Sequence, residues 1–178
     1  ITHRAKLVGE DAAASMKYLF SVLEAGGLTW SGTADAPPRL GAVLLQTPAY
    51  VRATDATIAA LDHLAGLAPA GARLAFELSH ASWHNNEVAA VLAKHGAVGV
   101  IADRDDGTVD WASPVVTSAA AWAYIRLRRE NYSPTELQAW VTRLRERAHA
   151  DVWVFFKHED TARGAEMALE LTRLTAAT

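Results

Sequence analysis

The amino-acid sequence predicts an α/β protein made of repeated strand–helix units. Five apolar runs each end in a polar or ionisable residue, and helical patterns separate most of these runs. The five runs are Ala42–Gln46, Leu74–Glu77, Val98–Asp103, Trp122–Arg126 and Val152–Lys157. Strands that alternate with helices form parallel sheets, which bind ligands at the carboxyl ends of their strands. We therefore expect the functional site where these terminal polar residues lie.

The composition is that of an ordinary folded protein. Its 178 residues fit a single domain, 1–178, or part of a larger one. The net charge of -3 argues against non-specific nucleic-acid binding, and the absence of cysteine excludes disulfides and thiolate metal sites. No apolar stretch approaches the roughly 20 residues of a membrane span. No signal peptide is visible, so the expected location is cytoplasmic.

Helices and strands alternate in the first half of the chain. Apolar residues recur at helical spacing from Asp11, and a pair of glycines ends this helix. Residues 28–39 are rich in Gly, Ser, Thr, Asp and Pro, which predicts a loop. The first strand covers 42–45, a second helix closes near Gly66, and the second strand covers 74–78.

The third helix and the next two strands follow the same pattern. Asn85 and Asn86 are suited to cap the helix, and the third strand covers 98–102. The connection 103–121 shows no clear helix, and it leads into a fourth strand over 122–127.

A capping box marks the start of the next helix. Ser133 and Glu136 have the required spacing, with a proline at the first helical position. The fifth strand covers 152–156, and a final helix follows it. We expect this last helix to bury Ala165, Ala168, Leu169 and Leu174.

Side-chain alternation along each strand separates an inner face from a face toward the helices. If Glu77 points to the inner face, Phe76 faces the helices. By the same rule we expect Asp103 to share the inner face with Gly99, and Arg126 to face inward as well. The inner-face candidates are therefore Gln46, Glu77, Asp103 and Arg126.

Several segments of the chain resemble the YecE-like family, a domain of unknown function. The most specific of them is 74–83, with the sequence LAFELSHASW. The other segments are Ile1–His3, Gln46–Pro48, Ile101–Asp103, Tyr124–Arg129 with Asn131–Ser133, and Phe155–Asp160. Their order and spacing agree with the family across almost the whole chain. Ser79 departs from the family pattern, which commonly has arginine at this strand end.

The resemblance implies a TIM-like (β/α) barrel. Family members carry further strands before Ile1–His3, which implies an N-terminally truncated barrel that retains about the last five strands. The chain also begins without methionine. A truncated barrel has open sheet edges, so we expect it to need the missing N-terminal segment or a partner chain for stability.

Glu77 and Asp103 are the strongest catalytic candidates. They end consecutive strands, and neighbouring parallel strands lie about 4.8 Å apart. Two carboxylates that close either share a divalent metal ion or move their pKa values apart for acid–base catalysis. In the alternative interpretation, each carboxylate caps a backbone amide or pairs with an arginine at a strand end.

His80 follows the strand that contains Glu77, which makes it a candidate general base or substrate contact. His84 lies four residues further on, but both fall in a loop, where this spacing is no argument for a metal site. Trp83 would form an apolar wall for a ligand or, alternatively, pack in the core.

Tyr124, Arg126 and Arg128 occupy alternate positions and should therefore face one way. An arginine at a strand end suits a carboxylate or phosphate, which it can bind through two parallel hydrogen bonds. The alternative is an internal salt bridge to one of the candidate carboxylates. We expect Arg129 to point to the opposite side, into solvent.

Lys157 and His158 end the last strand, just before a helix whose amino-terminal end attracts anions. They point in opposite directions, so only one of them can enter a pocket, and the sequence does not decide which.

The favoured function is an enzyme-type site for an anionic small molecule, with hydrolase or lyase chemistry. No motif of nucleotide-binding loops, serine hydrolases or zinc proteases occurs. The predicted catalytic residues are Glu77, His80 and Asp103. The predicted substrate-binding residues are Gln46, Trp83, Tyr124, Arg126, Arg128, Lys157 and His158. A divalent metal at Glu77 and Asp103 is the one cofactor that the residues suggest.

Two alternatives remain open. The first is a module that binds a ligand or a nucleic-acid phosphate without catalysis. The second is a degenerate or truncated barrel that has no activity.

Overall fold

The computed structural model describes residues 10–28, 30, 38–103, 109, 111–117, 121–147, 149–157 and 162–176. These described residues form six parallel strands in two three-stranded sheets, together with six α-helices, which confirms the α/β class. No closed barrel is seen among them, so the TIM-like barrel stays a prediction. No described helix is both long and apolar enough to cross a membrane.

The chain divides into two compact units. The first comprises Ile1–Gly99 with Ala112–Ala119, and the second comprises Val100–Trp111 with Ala120–Thr178. The prediction of a single domain over 1–178 stays a prediction.

The first unit contains the sheet β1-β2-β3, with both strand pairs parallel. Its elements, in chain order, are α1 (Glu10–Ala25), β1 (Val43–Thr47), α2 (Asp55–Gly66), β2 (Leu74–Leu78), a 3-10 turn (Ala81–Trp83), α3 (Asn86–Lys94), β3 (Val98–Gly99) and α4 (Pro114–Thr117).

Local sequence signals explain where the helices of the first unit begin and end. Thr54 caps α2 through a capping box with Thr57, and Asn85 caps α3 as predicted. Gly27 and Gly96 follow α1 and α3 with positive φ angles of 71° and 62°, a conformation that glycine adopts without strain.

The register of the first sheet sorts its side chains between two faces. Leu45 pairs with Phe76 and Phe76 with Gly99; Leu45 and Phe76 belong to the buried core formed with the helices. Gln46 pairs with Glu77 on the opposite face. Glu77 therefore points away from the core, as alternation predicts.

The second unit contains the parallel sheet β4-β5-β6 and two long helices. Its elements are β4 (Ile101–Asp103), β5 (Trp122–Leu127), α5 (Pro134–Glu146), β6 (Asp151–Phe156) and α6 (Arg163–Ala176). The predicted capping box opens α5, since the Ser133 side chain accepts from the Glu136 N–H and Glu136 accepts from the Ser133 N–H.

The faces of the second sheet follow from its contacts with α5 and α6. Val154 and Phe156 of β6 line a groove together with Leu144 and Leu171 of these helices. Ile125 and Leu127 pair with Val154 and Phe156, so they lie on the same, helix-facing side. Tyr124 and Arg126 occupy the other face of β5.

Three expectations about these elements need correction. The third strand is interrupted at Val100, because β3 pairs with β2 whereas β4 pairs with β5. The connection 103–121 contains α4, whose four residues are too few to show helical periodicity. The last helix buries Met167 and Leu171, which are four residues apart, whereas Leu169 is 61% exposed.

Candidate functional site

A hydrogen bond joins Gln46 and Glu77 near the carboxyl ends of β1 and β2. The Nε2 atom of Gln46 donates to Oε2 of Glu77 over 2.6 Å. Glu77 is 8% exposed, which makes it one of few buried carboxylates among the described residues. A buried carboxylate is costly unless it is hydrogen-bonded, and Gln46 supplies such a bond without adding charge. The structure thus brings together two of the predicted site residues.

Hydrogen bonds of the Thr47 and Ser79 hydroxyl groups connect the carboxyl ends of the same two strands. Thr47 Oγ1 donates to the Glu77 carbonyl over 3.3 Å and accepts from the Ser79 N–H over 3.2 Å. Ser79 Oγ donates in turn to the Thr47 carbonyl over 3.0 Å. Ser79 is therefore a structural link between β1 and β2.

His80 caps the short 3-10 turn that follows β2. Its Nδ1 accepts from the Ser82 N–H over 3.1 Å and lies 2.9 Å from Ser82 Oγ, which also accepts from the Ala53 N–H. Because the Nδ1 lone pair is engaged, the proton of the neutral ring is assigned to Nε2. This tautomer offers a proton donor at Nε2 and thus favours substrate contact over general-base catalysis.

The next two candidates in this loop are held inside the unit. Trp83 is fully buried in the core, and its indole N–H donates to the Val51 carbonyl over 2.8 Å. The alternative of core packing is thus confirmed, and the expected ligand wall is wrong. His84 contacts the buried Ser113 through Nδ1 at 2.7 Å and the Leu78 carbonyl through Nε2 at 3.3 Å.

Aromatic and cationic side chains share one face of β5 and β6. Tyr124 stacks on Phe155 with 4.6 Å between ring centroids, and Phe155 lies directly across from Arg126 in the strand register. Arg128 follows β5 and is exposed. Lys157 is also exposed, and its backbone N–H donates to the Leu127 carbonyl over 2.9 Å.

His158 lies outside the described residues. The choice between Lys157 and His158 as the pocket residue therefore stays open.

Asp103 does not share a face with Arg126, and the prediction that both point inward is wrong. Asp103 pairs with Leu127 and Ile101 with Ile125, so both residues of β4 lie on the helix-facing side. Gly99 lies on the corresponding side of the first sheet, since it pairs with Phe76. Alternation groups these residues correctly, but it does not specify which group faces the helices.

Asp103 instead belongs to a chain of ion pairs that reaches α5. Arg129 Nε donates to Asp103 Oδ2 over 3.1 Å, and Arg129 Nη1 donates to Glu136 Oε1 over 2.7 Å. The side chain of Asp103 is 2% exposed and that of Arg129 is 27% exposed. The expected solvent exposure of Arg129 is therefore wrong, because the side opposite to Arg126 is the helix-facing side, where Arg129 meets Asp103 and Glu136.

Hydrogen bonds favour the charged forms of Glu136 and Arg129. Bonds from the Ser133 backbone, Arg129 and the Ser133 hydroxyl lower the pKa of Glu136 from 4.5 to about 2. Burial acts to lower the pKa of Arg129, but hydrogen bonds with Glu136, Tyr132 and Asp103 raise it above its ordinary value.

Tyr132 completes the surroundings of Asp103. Its ring is fully buried, and its hydroxyl accepts from the Arg129 N–H over 3.2 Å. The Arg129 guanidinium also lies 4.2 Å from the centroid of this ring. Burial raises the pKa of Tyr132 to about 12, against the effect of the Arg129 N–H and with help from the Asp103 carboxylate.

The described part of the chain contains no group of three or more His, Asp or Glu side chains placed to hold a metal ion. Glu77 is bonded to Gln46 and Asp103 to Arg129, partners that would compete with a metal. A divalent metal at these carboxylates stays a prediction.

Comparison with known families agrees with the resemblance seen in the sequence. A family model described as a protein of unknown function, DUF72, matches residues 1–178. The chain belongs to the DUF72 family. No curated protein matches it significantly.

Solved structures of other DUF72 proteins have a similar fold. One from Thermotoga maritima MSB8 matches with a TM-score of 0.67 and 22% identity, over 94% of this chain and 65% of its own. Two structures of a DUF72 protein from Enterococcus faecalis V583 match with TM-scores of 0.65 and 0.63 and identities of 17% and 20%. Each of these matches covers 79% of this chain, and 60% or 62% of the other.

These DUF72 structures are informative about fold and extent. At identities of 17% to 22%, the similarity to these structures shows only that the fold is shared. This chain spans less than two thirds of the length of the DUF72 proteins that it matches.

Sequence reasoning missed the roles of Arg129, Glu136 and Tyr132 in this DUF72 chain. Glu136 was recognised as part of a capping box, but the box does not reveal that its other carboxylate oxygen accepts from Arg129. An arginine followed seven residues later by a helix-capping glutamate was the available signal. It is too common to indicate an ion pair by itself.

Proposed function

We propose that this DUF72 protein acts on an anionic small molecule through an enzyme-type site in the first unit, where Glu77 is the general base, and we propose separately that Arg126 of the second unit binds an anion. The hydrogen bond from Gln46 to Glu77 is the observation that carries the proposal. It holds a buried carboxylate near the carboxyl end of a parallel strand, on the face opposite the core, where α/β proteins place their ligands.

The chemistry assigned to Glu77 is proton abstraction. A carboxylate can activate water for hydrolysis, or remove a proton next to a carbonyl group for elimination. Gln46 fixes the orientation of the carboxylate, and Thr47 and Ser79 fix the backbone beneath it. His80 would contact the substrate through its Nε2 proton.

The preference for an anion rests on the second unit. Arg126, Arg128 and Lys157 lie at or just after the carboxyl ends of β5 and β6. Arginine binds carboxylates and phosphates through paired hydrogen bonds, and nearby cations raise the local concentration of anions. Tyr124 and Phe155 supply apolar surface on the same face as Arg126.

Substitution of Glu77 tests the proposed base. The protein is screened for turnover of p-nitrophenyl phosphate, p-nitrophenyl acetate and a set of carboxylate esters, with and without Mg²⁺, Mn²⁺ or Zn²⁺. Glu77→Gln keeps an oxygen that can accept from Gln46 but removes the base, so kcat should fall at least about 100-fold. Exposed Glu87 on α3 provides the control, since Glu87→Gln should leave kcat unchanged.

The same substrates also test Arg126 and distinguish an enzyme from a module that binds an anion without catalysis. Arg126→Lys should raise KM for anionic substrates more than for p-nitrophenyl acetate, because a single ammonium lacks the paired donors. Binding of an anion without turnover by any substrate would favour the non-catalytic module. Glu77→Gln and Arg126→Lys proteins that behave like the parent would show that the assigned residues are wrong.

We also propose that the TIM-like barrel is completed by the missing N-terminal segment or by a partner chain. β6 pairs with β5 alone among the described strands, and Phe155 of β6 is 43% exposed. An unpaired strand edge promotes association. The 178-residue chain alone should therefore associate or unfold without cooperativity in analytical ultracentrifugation and urea titration. A monodisperse monomer that unfolds cooperatively would contradict this.

A further inference from the structure

The strand β6 is apolar, but the second unit does not bury it. None of the six residues from Asp151 to Phe156 is fully buried, and Val152 and Phe155 are 37% and 43% exposed. In the neighbouring strand β5, every residue except Arg126 is buried. Exposed apolar side chains along an open sheet edge are typical of a surface that associates with another strand.

The hydrogen bonds of β6 show which of its backbone groups face outward. The Lys157 N–H donates to the Leu127 carbonyl at the end of β5 over 2.9 Å, so it points toward β5. Backbone groups alternate in direction along a strand. Those of Val152, Val154 and Phe156 therefore point to the edge that no described strand occupies.

One register of two antiparallel β6 strands matches apolar residues on both faces of the sheet. Outward-facing residues must lie opposite each other, and they do so when Val154 lies opposite Val154 of a second copy. Val152 then lies opposite Phe156 on the helix-facing side, and Trp153 lies opposite Phe155 on the other side. Cross-strand pairs of β-branched and aromatic residues stabilise antiparallel sheets.

The same register brings opposite charges together. The exposed Asp151 lies opposite the exposed Lys157 of the second copy, and the two-fold axis repeats this pair at the other end. The next register in one direction places Asp151 opposite Phe155. The next register in the other direction leaves Asp151 and Val152 beyond the end of the second strand. The charges therefore favour the register centred on Val154.

A groove beside β6 extends the apolar surface. Its volume is about 600 Å³, and Val152, Val154 and Phe156 line it together with Leu144 of α5 and Leu171 of α6. A second copy in this register would place its own Val152 and Phe156 beside the groove. The apolar lining would then continue across the two-fold axis.

We infer that β6 docks in antiparallel orientation against β6 of a second copy of this chain, with Val154 at the two-fold axis. The two three-stranded sheets then form one continuous sheet. The assembly ends at two copies, because both use the same surface for the contact. The inference rests on the proposal that the edge of β6 is open to a partner, and it names that partner.

Cysteine substitution tests the register, because the chain contains no cysteine of its own. Val154→Cys would place two thiols opposite each other, with about 5.5 Å between Cα atoms, which suits a disulfide. Val152→Cys is the control: Val152 is more exposed than Val154, but its two copies would lie roughly 14 Å apart. Under mild oxidation Val154→Cys should form a covalent dimer, and Val152→Cys should form less than about a tenth as much.

Charge reversal tests the ion pair in analytical ultracentrifugation. Asp151→Lys places a lysine opposite Lys157 of the second copy, which should raise the dissociation constant of the dimer at least about fivefold. The double variant Asp151→Lys with Lys157→Asp should restore dimerisation. A loss that came only from disturbed folding would not be restored.

Three results would overturn the inference. Association with equal crosslinking of the Val152→Cys and Val154→Cys proteins would refute the register, and would point to a different partner for the open edge, such as the missing N-terminal segment. Dimerisation that the double charge reversal does not restore would refute the ion pair that selects this register. A cooperatively unfolding monomer at every concentration would refute both this inference and the proposed completion of the barrel.

Discussion

Arg129 donates a hydrogen bond from Nε to Oδ2 of Asp103 over 3.1 Å, and so joins the loop after β5 to the last residue of β4. The carboxylate is almost completely buried, and the guanidinium is about three-quarters buried. A buried ion pair adds little net stability to the folded protein. Removal of one partner is nevertheless costly, because the other partner then stays buried as an unpaired charge.

Removal of Arg129 should therefore destabilise the protein. Arg129→Met keeps much of the apolar stem but leaves Asp103 buried without its partner, which should lower the free energy of unfolding by roughly 3 kcal/mol. Urea titration measures this change. The exposed Arg173 on α6 is the control, since Arg173→Met should cost no more than about 0.5 kcal/mol. Equal losses in the two proteins would show that the ion pair is not needed for stability.

The capping box of α5 should make stability depend on pH. The pKa of Glu136 is about 2 in the folded protein, below its ordinary value of 4.5. The stability contributed by its charged form is thus fully present above pH 4.5 and is lost as the pH falls toward 2. The difference in melting temperature between the parent and Glu136→Gln should shrink over this range.

Thermal unfolding between pH 2 and 7 checks the contribution of Glu136. Glu146, an exposed residue at the end of the same helix, serves as the control. The difference between the parent and Glu146→Gln should change less over this interval. A Glu136→Gln difference that does not vary with pH would contradict the prediction.

Gly99 should tolerate no side chain. A Cβ atom at this position would lie 2.2 Å from Cγ1 and 2.8 Å from the carbonyl oxygen of Val115. Gly99→Ala should therefore destabilise the protein by about 1–3 kcal/mol in urea titration. The double variant with Val115→Ala should recover only part of the loss, because the backbone oxygen stays in place.

Gly66 offers a matched comparison for Gly99. Its added Cβ would meet only the His95 side chain, at 3.3 Å, and it lies at the end of α2. Gly66→Ala should change stability by less than about 1 kcal/mol. A larger loss at Gly66 than at Gly99 would refute the packing assigned to β3 and α4.

Trp83 should stabilise the protein through its packing in the core. Trp83→Phe removes the N–H that binds the Val51 carbonyl and should cost about 1–3 kcal/mol, whereas Trp83→Ala should cost about 3–5 kcal/mol. Tyr18→Phe, an exposed change on α1, provides the baseline. Chemical denaturation compares the three proteins. A Trp83→Phe protein with parental stability but altered substrate affinity would restore the ligand-wall interpretation.

Much of the local structure could be predicted because its causes are local. The cap at Asn85 and the box of Ser133 and Glu136 involve residues within one turn of each other, and both form as predicted. Alternation also placed Glu77 correctly, because its strand neighbours Phe76 and Leu78 are apolar and pack in the core.

Alternation failed at Asp103 for a physical reason. A period of two divides a strand into two sets of residues, and either set can face the helices. Ile101 and Asp103 were grouped correctly, but pairing with Ile125 and Leu127 turns both toward the helices. The expected solvent exposure of Arg129 failed for the same reason, because its side of the strand faces the helices and Asp103.

The sequence by itself determined the α/β class, the order of helices and strands, most of their ends, and the family to which the chain belongs. Those features depend on interactions between near neighbours or on motifs read along the chain. Only the tertiary structure decided that Glu77 bonds to Gln46 and that Asp103 bonds to Arg129. These partners are 31 and 26 residues apart, and strand register and chain direction after each strand bring them into contact.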